Sequence, residues 1–140
     1  DMVVTGLGNS ELDDLLKSIT DKQGRVLHAE ATPESGFYFR SDHFNFAKSG
    51  VPALYAEGGE DLVEGGTAAG RKAAEEYTEA RYHKPADEFD PNWNLEGTVQ
   101  DLETLYQVGR TLADGDAWPN WRAGNPFRAA RDASRADAAK

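Results

Sequence analysis

Met2-Val3-Val4-Thr5-Gly6-Leu7-Gly8-Asn9-Ser10-Glu11-Leu12 is the stretch whose reading decides the fold. Its first four residues are short, apolar and rich in β-branching, and two glycines bound them, which reads as a buried strand ending in a turn. Ser10-Glu11-Leu12-Asp13 then resembles a capping box in which Asp13 takes the place of the usual Glu. Behind it Leu12, Leu15, Leu16 and Ile19 recur at helical spacing and form one face, and Gly24 stands where a left-handed stop is expected. A strand that turns directly into an amphipathic helix is the repeating unit of α/β architecture.

Working outward, Arg25-Val26-Leu27-His28-Ala29 reads as a second strand, ended by Pro33 and Gly36. The aromatic cluster Phe37-Tyr38-Phe39-Arg40 and then Ser41-Asp42-His43 lead into a short helix around Phe44, Phe46 and Ala47, which Gly50 closes. Val51-Pro52-Ala53-Leu54-Tyr55 reads as a third strand, with Pro52 near its start where a missing N–H is tolerated. A glycine-rich acidic loop, Glu57 to Gly66, precedes a helix from Thr67 to about Tyr82. Tyr82-His83-Lys84-Pro85 breaks that helix. The strongest later helix runs from Thr98 to about Leu112, with Val99, Leu102, Leu105, Tyr106 and Leu112 expected inward. Trp118-Pro119-Asn120-Trp121 is expected to pack back onto the body, because two exposed tryptophans are costly. Residues 128–140, rich in Arg, Ala and Asp without an apolar stripe, read as a weak or frayed terminal helix, a weakly structured polar tail.

Strands alternating with helices predict a three-layer α/β/α architecture with a mostly parallel sheet. Three strands are thin for that class, since a parallel sheet is normally covered on both faces. The physics therefore predicts an incomplete part of a larger domain, over residues 1–127.

Charge and composition narrow the function. Lys plus Arg number 15 against 25 Asp plus Glu, a net charge of −10 across 140 residues. That balance opposes binding to nucleic acid or to an anionic membrane surface, both of which need clustered cations. No apolar run approaches the ~20 residues of a membrane span. There is no cysteine, hence no disulfide and no thiolate metal site. Three histidines, many carboxylates and no Cys leave metal-assisted or acid/base chemistry, while a Gly-x-Ser-x-Gly elbow and the helical zinc pair His-x-x-x-His are both missing. Gly6-Leu7-Gly8 lacks the third glycine of a phosphate loop and reads as a strand-to-helix turn. Of the three histidines, His28 lies in a strand and reads as structural or surface. His43 reads as part of a capping cluster with Ser41 and Asp42. His83 sits in a loop at a helix end, where function concentrates.

Taken in order, Arg40-Ser41-Asp42-His43-x-x-Phe46-x-x-x-Gly50-Val51-Pro52 resembles the RSDH…F…GIP segment of the co-catalytic di-zinc aminopeptidases. That group, clan MH, includes leucyl aminopeptidases and relatives of glutamate carboxypeptidase. Tyr82-His83-x-x-x-Asp87 resembles the family's later YHxxxD segment, at a matching distance. Gly6-Leu7-Gly8-Asn9-Ser10-Glu11-Leu12 and Trp118-Pro119-x-Trp121 resemble one bacterial subgroup, so the likeness covers nearly the whole chain.

The resemblance implies an exopeptidase that hydrolyses N-terminal peptide bonds of peptide substrates with a water bridging two zinc ions. It implies His83 as a metal ligand and Tyr82 as the group that hydrogen-bonds the oxyanion. Asp87 is implied as a residue positioning the His or its loop, and Arg40 as lining the substrate side. Asp42 and His43 look like scaffold. The family's other ligands and its general base lie upstream of the segment where this chain begins, and Asp1 only superficially resembles one of them. The resemblance thus implies a C-terminal portion, inactive alone, whose partner is the upstream segment of the same protein. Self-association through an open sheet edge is a further expected partner mode. Export to the periplasm or beyond the cell is implied by resemblance alone.

Two other readings stand beside this one. A non-catalytic, receptor-like module could keep the scaffold for binding, although it has no need of Tyr82 or His83. A plain acidic α/β interaction domain would instead show covered sheet edges and no large exposed apolar face. The fragment reading expects an open strand edge, with Tyr82, His83 and Arg40 on one rim.

Overall fold

A computed structural model describes residues 1–138, with side chains through residue 136. The final two residues of the polar tail lie outside the described residues.

The fold is α/β, built on a three-stranded sheet in the order β2-β1-β3. β1 (Met2–Thr5) is central, β2 (Leu27–Ala29) pairs with it in parallel, and β3 (Tyr55–Gly58) pairs antiparallel. Strand alternation turns Met2 and Val4 to one face, where both are buried against Leu16 and Ile19 of α1 (Leu12–Thr20) and Val108 of α5 (Glu96–Asp114). Leu27, Leu54 and Ala56 close this core. The register sets Val3 beside His28 and Glu57 on the opposite face, and the latter two are exposed.

The expected mostly parallel sheet is mixed. After β2 the chain forms α2 (Phe37–Arg40) and α3 (His43–Lys48) at the end where β1 and β2 finish. There Tyr38 packs on Gly6, and His43 meets Tyr55 with ring centroids 5.5 Å apart. The chain enters the sheet from that same end, so β3 must run backwards along β1, with Tyr55 opposite Thr5. The third strand also starts later than Val51-Tyr55 implied. Pro52 has no N–H for a ladder, and pairing begins only at Tyr55.

The inward set of α5 is corrected in part: Leu112 packs against the core as expected, but Leu105 does not turn fully inward. Val99, Leu102 and Tyr106 are 51%, 61% and 66% exposed, while Thr104 and Val108 point inward. Thr104 tolerates full burial because its hydroxyl donates within 2.8 Å of Gln23 Oε1 and of the Gln100 carbonyl. The Arg25 guanidinium donates to Thr104 Oγ1 and pairs with Asp101. This polar seam fixes the rotation of α5 and leaves a second apolar stripe, Leu95-Val99-Leu102-Tyr106, facing solvent.

The turn from β1 to α1 follows the sequence reading, with one change. Ser10 Oγ accepts from Leu12 N at 3.3 Å, but the Asp13 carboxylate accepts from Gly8 N at 2.7 Å. Gly8 adopts φ 93°, which aims its N–H at that carboxylate.

At the other end of the chain Trp121 is fully buried and its Nε1 donates to the Gly50 carbonyl at 3.0 Å. Trp118 departs from expectation and stays 59% exposed, with Arg131 and Arg135 over its ring. The tail forms a terminal helix, α6 (Arg128–Ala138). Arg131 donates to the Pro119 carbonyl at 3.1 Å, and its backbone lies so close to Gly50 that a Cβ there would meet it at 2.5 Å.

Candidate functional site

α4 (Gly66–Ala80) carries the first candidate cluster at its C-terminal end. Almost every residue of this helix is exposed, and only Gly70 is buried, where a Cβ would meet the Glu60 carbonyl at 2.0 Å. The helix ends as the N–H groups of Arg81 and Tyr82 both donate to the Tyr77 carbonyl, at 2.8 and 3.0 Å. Lys84 N then donates to Arg81 O, and Asp87 N to Lys84 O, folding residues 81–87 into successive turns.

His83 sits inside those turns at φ 57°, the one non-glycine residue with positive φ among the described residues. A left-handed backbone at a residue with a Cβ costs about 1–3 kcal/mol and persists where its surroundings impose it. Its ring stacks on Tyr82 at a centroid distance of 4.0 Å and an interplanar angle of 24°. Tyr82 is half exposed and stands 6.1 Å from the ring of Tyr77. The Tyr77 hydroxyl donates to the Asp87 carboxylate, 2.9 Å from one oxygen and 3.0 Å from the other. That bond uses the phenolic proton and raises the Tyr77 pKa above its ordinary value, with lesser help from desolvation and the Asp87 charge.

Tyr82, His83 and Asp87 therefore share one loop. Asp87 binds through Tyr77, a residue that sequence reading passed over because one Tyr on an alanine-rich helix carries no spacing signal. Arg40 belongs to a separate group on α2, with its guanidinium 5.4 Å from the Phe37 ring.

The second cluster lies where β1 and β2 end. The Glu30 carboxylate accepts from Gly6 N at 3.1 Å, and Tyr38 packs on the same glycine. His43 lies edge-on to Tyr38 at 4.8 Å and to Tyr55 at 5.5 Å. Glu30 Oε2, Tyr38 Oη and His43 Nε2 are buried without a hydrogen-bond partner. Burial accordingly lowers the His43 pKa and raises that of Tyr38, to which the Asp13 charge also contributes. The Asp13 carboxyl is raised by burial, against the hydrogen bonds from Gly8 and Ser10. His43 packs its ring between Tyr38 and Tyr55, but neither Ser41 nor Asp42 caps α3 through its side chain; Ser41 Oγ donates to Phe37 O at 3.0 Å. Asp1 accepts from Asp61 N at 3.0 Å and so holds the glycine-rich loop, while His28 is an exposed strand residue.

Zinc requires three or four donors at close range. Among the described residues no three His, Asp or Glu side chains converge to hold a metal ion. His83 offers one imidazole, with Asp87 turned to Tyr77, so these side chains do not by themselves fit a zinc centre. Among the described residues no helix is long and apolar enough to cross a membrane.

Residues 1–106 match the family model described as peptidase family M28. No curated protein and no solved structure matches the chain.

Proposed function

Because the chain belongs to peptidase family M28, whose members are generally zinc-dependent, we propose that it is the C-terminal part of an exopeptidase acting on N-terminal peptide bonds. In this reading it works with an upstream segment of the same protein and is inactive alone. The Tyr82 hydroxyl donates to the carbonyl oxygen of the bond under attack as negative charge gathers there. His83 supplies one imidazole to a centre whose other donors come from the upstream segment. Asp87 steadies the loop through Tyr77, and Arg40 lines the substrate side. Export to the periplasm or outside the cell accompanies the reading.

The observation that carries this proposal is the strained backbone of His83, stacked on Tyr82 at the end of α4. Strain of this kind gathers at sites where a side chain must be aimed. The solvent-facing stripe on α5 and the exposed residues of β2 and β3 support an upstream partner, since a self-sufficient domain covers such surfaces.

Calorimetry with zinc tests it, on the chain and its His83→Ala variant, alone and mixed with the upstream segment. The expected result is no tight uptake alone, and His83-dependent uptake with aminopeptidase activity in the mixture. Tight stoichiometric uptake by the isolated chain, or neither uptake nor activity in the mixture, overturns it.

A further inference from the structure

On the side of the molecule formed by α5, α6 and the Trp118-Pro119 segment lies a cleft of about 570 Å³. Its volume falls within the range of about 300–1,000 Å³ typical of small-molecule sites. Leu12, Val51, Pro52, Leu112 and Pro119 line it with apolar surface. Among the described residues the one charged side chain on its wall is Arg131. Although the chain has ten more acidic than basic side chains, none of the described residues lining this surface carries a carboxylate.

The guanidinium of Arg131 is unusual in its surroundings. Arg122 and Arg128 pair with Asp14 and Asp132, at 2.6 and 3.6 Å. Arg131 has no acid among the described ion pairs and instead donates to the Pro119 carbonyl. It lies 5.3 Å from the Trp118 ring centroid, and Arg135 lies 4.1 Å from the same ring. Burial, and then the Arg135 charge, press the Arg131 pKa downward, so an anion beside it would relieve an existing penalty.

We propose that this cleft binds an apolar monocarboxylate, its carboxylate paired with Arg131 and its hydrocarbon body against Leu112, Pro119 and the Trp118 face. The lining also sets what is refused. A free amino acid brings an ammonium beside its carboxylate, and among the described residues the wall offers no acid to receive it. The ligand is accordingly a carboxylate without a neighbouring amine, which describes both a fatty acid and the C-terminal end of a peptide with an apolar last residue. This inference does not depend on the peptidase reading, because none of the Tyr82–Asp87 loop lines the cleft.

The test titrates the full chain with decanoate and with N-acetylphenylalanine, following the Trp118 indole N–H by NMR, assigned through Trp118→Phe. Decanol, N-acetylphenylalaninamide and free phenylalanine serve as controls. At least one carboxylate is expected to bind below about 1 mM and about tenfold more tightly than its neutral counterpart, the scale of one charge-assisted pair. Response to decanoate alone identifies an acyl chain as the source, and response to N-acetylphenylalanine alone identifies a peptide terminus. Arg131→Gln is expected to lose that tenfold, and Arg131→Lys to keep part of it. Ala113→Leu, which narrows the cleft without touching Arg131, is expected to weaken binding by the same order. Equal binding of decanol and decanoate, free phenylalanine binding as well as its N-acetyl form, or no response to either carboxylate overturns the proposal.

Discussion

The hydroxyl of Tyr77 on α4 bridges both carboxylate oxygens of Asp87, ten residues further along, and this bond closes the loop that carries Tyr82 and His83. The phenol donates only while protonated, so the bond itself holds the Tyr77 pKa up. Asp87→Ala is expected to bring the Tyr77 titration back toward that of a free tyrosine. Ultraviolet spectrophotometric titration, compared with Tyr77→Phe to assign the signal, reads this directly, and an unchanged Tyr77 midpoint would refute the link.

For the proposed role of Tyr82, the full enzyme with Tyr82→Phe is expected to keep zinc uptake and lose about 10²–10³ in kcat, as when one oxyanion donor is deleted. Steady-state kinetics with an aminoacyl anilide and parallel zinc calorimetry separate this from a broken metal site. Loss of zinc uptake together with rate would remove Tyr82 from the oxyanion role.

His43 gives the chain a pH dependence with a definite sign. Burial lowers its folded-state pKa below the 6.5 of an ordinary histidine, so the unfolded chain binds more protons between those two values. The stability that His43 contributes is therefore complete above about pH 6.5 and is lost as pH falls through the folded-state value. His43→Phe is expected to flatten that part of the curve. Urea unfolding at successive pH values below neutrality, on wild type and variant, measures it.

Trp121 anchors the C-terminal segment to the turn before β3. Trp121→Ala is expected to cost about 3–5 kcal/mol, the usual range for emptying a large buried aromatic site. Gly50→Ala is expected to be destabilising too, because Gly50 sits at φ 84° and a Cβ would meet the Arg131 backbone at 2.5 Å. Equilibrium denaturation of each variant checks both, and a Trp121→Ala protein of unchanged midpoint would contradict the packing described.

The α5 stripe gives a contrary expectation, since Leu102 and Tyr106 touch water. Leu102→Lys with Tyr106→Lys is expected to change folding stability by no more than about 0.5 kcal/mol per site. The same change should reduce concentration-dependent association in sedimentation velocity. Marked unfolding of the double variant would show that the stripe is part of the core after all.

The local units of this protein were legible in its residues because each rests on short-range physics. The short β-branched apolar run at Met2–Thr5, helical spacing at Leu12–Ile19 and the positive-φ glycines at 6, 24 and 50 need no distant partner to be recognised. The pairing of Tyr82 with His83 was legible as adjacent residues, and the left-handed backbone that stacks their rings was not. Tyr77's grip on Asp87 had no signature, because it depends on how far the chain turns after Ala80.

Sequence by itself determined an α/β chain of net charge −10 with the motifs of peptidase family M28, since composition and spacing are properties of the covalent chain. Tertiary structure decided the direction of β3, because α2 and α3 settle at one end of the sheet and the strand can only run back from there. It also decided which stripe of α5 is buried: Val108 and Leu112 pack on the sheet core and Thr104 is hydrogen-bonded beside the Arg25–Asp101 pair, while Val99 and Leu102 face solvent. And it gathered Arg131, Trp118 and Leu112 around one cleft, a meeting of three elements that no local pattern encodes.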